Sequence, residues 1–163
     1  MLRFLYTTQS GEVHIVLASP KDQIETVLGP MSQEEYEAHV LERSIPADAI
    51  NVKAITEDDI PHSREFRAAW VDVTPDTKVN IDLEKAKALK LQELRAVRNE
   101  ELKKTDTEYL IAVEQGLDLT EVKERKAFLR NATEPLKALQ VSGVDDEEVL
   151  KQIKELASLD LKE

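Results

Sequence analysis

From Leu83 to Gln115 the chain runs without a glycine or a proline, in a composition dominated by Ala, Leu, Lys, Glu and Arg. These residues lose little side-chain freedom in a helix, and nothing in the run breaks the backbone hydrogen-bond ladder, so the second half of the chain must be built on helices. Asp82 is placed as an N-cap. At about 100° per residue, Leu83, Ala86, Leu91, Leu94, Val97 and Leu102 share one broad face, which a helix must dock against something. Thr105 to Glu108 reads as a capping box and predicts a break or bend near Lys104, before Tyr109, Leu110 and Val113. Gly116 is the expected C-cap. Asp118 to Glu121 repeats the capping box and opens a second helix carrying Val122, Phe128 and Leu129, which ends before Pro135. The result is an antiparallel helical hairpin over 82–140. Gly143, Asp145 and Asp146 introduce a short terminal helix within 141–163, with Val149, Ile153 and Leu156 as an apolar seam.

Residues 1–81 have a different texture. Leu2 to Thr7 and Val13 to Ala18 are rich in β-branched and aromatic residues and flank Gln9, Ser10 and Gly11, which predicts a β-hairpin. A short helix over Pro20 to Leu28 ends at Gly29 and Pro30, and the SQEE segment from Ser32 to Glu35 is a capping box opening a helix to about Arg43. Tyr36 and Val40 form its inner face. Ile50 to Ile55 alternates as a strand with Ile50, Val52 and Ala54 on one side. Phe66 and Trp70 stand four apart and anchor a helical turn in the core, and Val71, Val73, Val79 and Ile81 flank the TPDT turn as a second hairpin. The fold class is α+β: a small N-terminal antiparallel β/α domain, the helical hairpin, and the terminal helix.

The function classes narrow by exclusion. Across 163 residues, 33 acidic side chains face 22 basic ones, and the net charge of -11 opposes binding to nucleic acid or to an anionic membrane surface. No window reaches the roughly 18 uninterrupted apolar residues of a membrane span, and the N-terminus lacks the h-region of a signal peptide. With no cysteine, thiolate metal sites and cysteine nucleophiles are absent. His14, His39 and His62 fall in three separate elements without ligand spacing, so no metal is expected. Glu57, Asp58 and Asp59 read as a solvated run ahead of Pro61. Asp72, Asp76, Asn80 and Asp82 lack the alternation and closing glutamate of a calcium loop. There is no phosphate-binding loop, and Ser10 with Gly11 lacks the context of a nucleophile elbow. No cofactor is implied, and the chain reads as a non-enzyme.

Two sets of residues remain as candidates for contacts. Arg98 lies at the edge of the apolar stripe, so its stem packs while its guanidinium seeks a carboxylate, with Asp106 as the expected partner. Arg95, Arg98, Asp106 and Arg130 are read as the residues that set how the two hairpin helices meet. Leu150, Ile153, Leu156 and Leu159 are spaced to enter a partner's groove from the terminal helix.

The order Arg95, Arg98, Asn99, Leu102 and Asp106, followed by Phe128, Leu129, Arg130 and Pro135, resembles the C-terminal region of phage tail-fibre assembly chaperones and related proteins encoded beside tail genes. DIPHSREFRAAW, ending at Trp70, is similar to a segment that precedes such hairpins in phage proteins. The resemblance implies a non-enzymatic component of a bacteriophage tail tip or fibre, structural, accessory or chaperone. It implies a phage tail or tail-fibre protein as partner, with self-association as a further option, and residence in the host cytoplasm during assembly or in the virion tail. The acidic charge raises an alternative: a nucleic-acid mimic that binds a host defence or regulatory protein.

Overall fold

The computed structural model describes residues 1–73, 76–142, 146–158 and 161. The chain forms two compact units, Met1–Asp82 and Leu83–Glu163. Its fold class is α+β.

In the first unit, β1 (Arg3–Thr7) is the centre of an antiparallel sheet, flanked by β2 (Val13–Leu17) and β3 (Ile50–Ala54) in the order β2-β1-β3. Thr8 and Gly11 close the first hairpin. Gly11 has a φ of 83° and donates to the Thr8 carbonyl at 2.9 Å, a conformation that favours glycine. Because β1 is central, its successive side chains are buried on both faces. Phe4 packs with Ala18, Tyr36 and Val40, beneath α1 (Lys21–Leu28) and α2 (Gln33–Ser44). Leu5 packs with Val13, Ile55, Trp70 and Val79 on the other face.

The SQEE capping box forms as the sequence predicts. Ser32 Oγ accepts from the Glu35 amide at 3.1 Å, and the Glu35 carboxylate accepts from the Ser32 amide at 2.6 Å. The same hydrogen bonds hold the Glu35 carboxyl below its ordinary pKa. Ser32→Ala is expected to cost about 1 kcal/mol, the usual size of a lost N-cap. An unchanged urea midpoint would contradict this.

The side chains of β3 do not alternate as expected. Ile50 and Val52 are 45% and 42% exposed, and Ile55, just beyond the strand, is the buried residue. The register explains it. Ala54 lies opposite Phe4 and Ile50 opposite Thr7, so four steps along β3 match three along β1. Asn51, at a φ of 52°, lies in this irregular stretch. Partners in an antiparallel pair share a face, so the extra residue puts Ile50 and Ala54 on opposite faces.

Phe66 and Trp70 are both buried, at the two ends of a 3-10 turn over Arg67–Ala69. Trp70 begins β4 (Trp70–Asp72), which pairs with β5 (Val79–Ile81) as a separate two-stranded sheet. Thr74 and Pro75 of the expected turn lie outside the described residues.

In the second unit, α3 (Leu83–Gln115) is one uninterrupted helix of 33 residues, and the break expected near Lys104 is absent. The hydroxyls that suggested a cap bond backward instead. Thr105 donates to the Glu101 carbonyl at 2.8 Å and Thr107 to the Lys103 carbonyl at 3.1 Å. The helix ends at Gly116, with φ 62°, in a Schellman motif: the Gly116 amide donates to Val113 and the Leu117 amide to Ala112.

The chain returns along α3 as α4 (Thr120–Asn131), but the capping box expected from Asp118 does not form: the N-cap is Leu119, without a side-chain cap, and the Asp118 carboxylate accepts from the Thr120 amide at 3.0 Å and the Thr120 hydroxyl at 2.7 Å. Pro135 does not simply follow a helix end. It sits in the first turn of a further short helix, α5 (Glu134–Ala138), where its missing amide donor costs nothing. Finally α6 (Asp146–Ala157) packs on α3 and α5 within the same compact unit. Leu129, Leu136, Val149 and Ile153 are fully buried. So is Thr133, whose hydroxyl has no hydrogen-bond partner among the described residues. Thr133→Val keeps the shape and removes an unsatisfied group, so it should stabilise the protein by about 1 kcal/mol. Destabilisation on urea titration would show that the hydroxyl has a partner in solution.

Candidate functional site

The polar residues of the hairpin are arranged differently from the sequence expectation. Arg98 and Asp106 do not meet. On one unbroken helix, residues eight apart are separated by about 12 Å along the axis, beyond the reach of an aspartate. Arg98 bonds its neighbour Asn99 at 2.9 Å, and Asp106 pairs with Lys126 of α4 at 2.6 Å. The Lys126 ammonium also lies 4.7 Å from the Tyr109 ring centroid, so one cation ties together two residues of α3. Arg95 and Arg130 are exposed.

A residue not singled out by sequence sits at the centre of the crossing. The Glu101 carboxylate is buried, with Lys104 at 2.6 Å and Arg125 of α4 at 3.5 Å. Its hydrogen bond and charge push the Lys104 ammonium above its ordinary pKa. Arg125 also donates to the Leu161 carbonyl at 3.3 Å, so the pair fastens the C-terminal segment as well as the hairpin. The geometry is that of a helix-positioning cluster: one carboxylate satisfied by two cations from two helices. The signal was present in the sequence, since Glu101 falls on the same side of α3 as Leu94 and Thr105, but a glutamate there reads as the edge of a polar face.

The terminal helix does not present the expected docking residues. Ile153 is fully buried and Leu150 and Leu156 are half-buried, while Leu159 lies outside the described residues. An amphipathic seam has to be covered. Here α3 and α5 cover it, so Ile153 belongs to the core of its own unit and is not free for a partner.

Exposed apolar side chains occur in both units, Val27 and Leu28 of α1 among them, and the second unit carries several at the far end of α3. Leu110, Ile111 and Val113 are 61%, 46% and 50% exposed, and Leu117, just past the cap, is 56% exposed. Leu110 points about 160° away from buried Ala112. Leu110 and Val113, about 60° apart on the helix, form an exposed apolar strip opposite the packed side, while Ile111 lies about 100° from Leu110 on the other flank and Leu117 follows the cap. On α4, Phe128 is 48% exposed and borders a shallow groove of about 510 Å³ together with Glu108, Glu121, Val122, Glu124 and Arg125. The sequence carried a signal for this surface. Leu110, Ile111, Ala112 and Val113 cover more than half the helix circumference, more than one docking face can bury.

No family model matches this chain, and no curated protein or solved structure matches it either. Its chemistry must therefore be read from its own residues. His14 is stacked on Tyr6, with ring centroids 5.1 Å apart, on the sheet, whereas His39 lies on α2 and His62 in the loop before the 3-10 turn. Among the described residues no three His, Cys, Asp or Glu side chains are grouped to hold a metal ion, and no helix is long and apolar enough to cross a membrane.

Proposed function

We propose that the chain is a non-enzymatic protein–protein interaction component of a bacteriophage tail, serving the tail tip or fibre as an accessory part or an assembly chaperone. The observation that carries this reading is the exposed apolar end of α3, formed by Leu110, Ile111, Val113 and Leu117. Leu110 and Val113 stand exposed one turn apart on a helix, and this i and i+3 spacing suits a hydrophobic groove. The phage setting rests on the resemblance of the Arg95 to Pro135 region.

Mass spectrometry of purified particles from a phage encoding the chain tests the setting. A stoichiometric signal in particles supports a tail component. A signal confined to assembly intermediates, together with fibre protein, supports a chaperone. Detection in neither would defeat the proposal. The acidic-mimic alternative predicts a complex that dissociates at moderate salt, whereas an interface built on this surface resists salt.

A further inference from the structure

The first unit carries a cleft beside the edge of its three-stranded sheet. The cleft, of about 280 Å³, is lined by Ile15, Leu17, Ile60, Trp70, Arg64 and Arg67, with Arg3 and Glu57 at its side. Residues 1–82 contain four arginines, Arg3, Arg43, Arg64 and Arg67, and three of them line this one cleft. Arg3 is satisfied by Glu57 at 2.8 Å. Among the described residues neither Arg64 nor Arg67 forms an ion pair, and the Arg67 guanidinium stands 5.9 Å from the Trp70 ring centroid. Exposed cations therefore border an apolar floor.

The cleft adjoins an open sheet edge. β2 is an outer strand, and its bonds to β1 follow the antiparallel alternation. The Ala18 amide donates to Leu2 and the Thr8 amide to Glu12, which places the bonded pairs at 2 with 18, 4 with 16, 6 with 14 and 8 with 12. The amides and carbonyls of Val13, Ile15 and Leu17 then face away from β1, and among the described residues their amides have no protein partner. The side chains of Ile15 and Leu17 line the cleft, so its wall and the free edge are one strand.

We infer that the β2 edge and its cleft bind an extended acidic peptide by strand addition. Peptide backbone groups pair with Ile15 and Leu17. On the face toward the cleft, a carboxylate meets Arg64 and Arg67 while the side chain two residues away packs on the Ile60 and Leu17 surface. Backbone pairing supplies register and the arginines supply the preference for acid, as strand addition generally divides the work. This inference does not rest on the phage setting.

The test is an ¹⁵N NMR titration of the full chain with the capped heptapeptide Thr-Glu-Thr-Val-Thr-Glu-Thr, and with the same peptide carrying Lys for Glu. The acidic peptide should shift the amides of Val13, Ile15 and Leu17 and slow their hydrogen exchange, and the Lys peptide should not. R64Q/R67Q should weaken binding by at least about tenfold through loss of charge-assisted hydrogen bonds. L17P should abolish it while leaving amide dispersion elsewhere intact, because a proline is tolerated on an edge whose N–H faces solvent. Unchanged edge amides at saturating peptide, or wild-type affinity in either variant, would overturn the inference. So would complete displacement by inorganic phosphate, which marks a small-anion site, or peptide-independent dimerisation through β2, which makes a second copy the occupant.

Discussion

Asp72→Ala is expected to lower the stability of the first unit by about 3 kcal/mol, the usual cost of removing one partner from a buried ion pair. The Asp72 side chain is 2% exposed and accepts from Lys53 at 2.5 Å and from the Thr7 hydroxyl at 3.3 Å. Lys53 also donates to the Asp76 carbonyl, so this single ammonium joins β3 to β4 and to the start of the segment leading into β5. Truncating Asp72 leaves a largely buried ammonium without its counter-charge and a buried threonine without its acceptor. A double variant separates the cost of an orphaned charge from the worth of the pair. Lys53→Met with Asp72→Leu removes both charges and should recover most of the loss. Trp70 is the only tryptophan and sits at the head of β4, so its fluorescence during urea unfolding reports on this unit directly. If D72A unfolds at the wild-type midpoint, the pair contributes nothing.

The second large effect is expected in the helical unit. Leu129 of α4 is fully buried, and Leu129→Ala should destabilise that unit by about 3 kcal/mol through lost transfer energy and the cavity left behind. Leu110→Ala is the matched control. It removes the same atoms from an exposed position, and the change should stay within about 0.5 kcal/mol. Hydrogen exchange of the α3 and α4 amides distinguishes the two, because L129A should accelerate exchange throughout both helices and L110A should not. Equal sensitivity at the two positions would mean that Leu110 is covered in solution.

Several local signals and core anchors are legible in the sequence, whereas the contacts between helices and the strand register are not. The Ser32 to Glu35 capping box, the Gly116 stop and the burial of Phe66 and Trp70 depend on neighbours in sequence, and each is found where the residues put it. The same capping signature at Thr105 sets no cap, because a threonine hydroxyl is equally able to bond a carbonyl one turn back inside a helix. That one difference removed the bend and with it the Arg98 to Asp106 pairing, and left the crossing to Glu101, Lys104, Arg125 and Lys126. The irregular register near Asn51 reassigned the faces of β3, and no composition cue announces such an extra residue. The α6 seam illustrates a general ambiguity. Periodicity shows that a face must be covered, and only the packing shows that the cover is the chain's own α3 and α5.

Docking through the exposed end of α3 is measured by co-sedimentation with purified tails and fibre protein of an encoding phage. The variant L110Q/V113Q/L117Q removes the apolar surface without adding charge, and Gln at the two helical positions keeps helix propensity close to that of the residues replaced. Wild-type protein should bind at both low and high salt, and the variant, with unchanged helicity, should lose at least about tenfold in affinity. Binding of the variant at wild-type strength would contradict it.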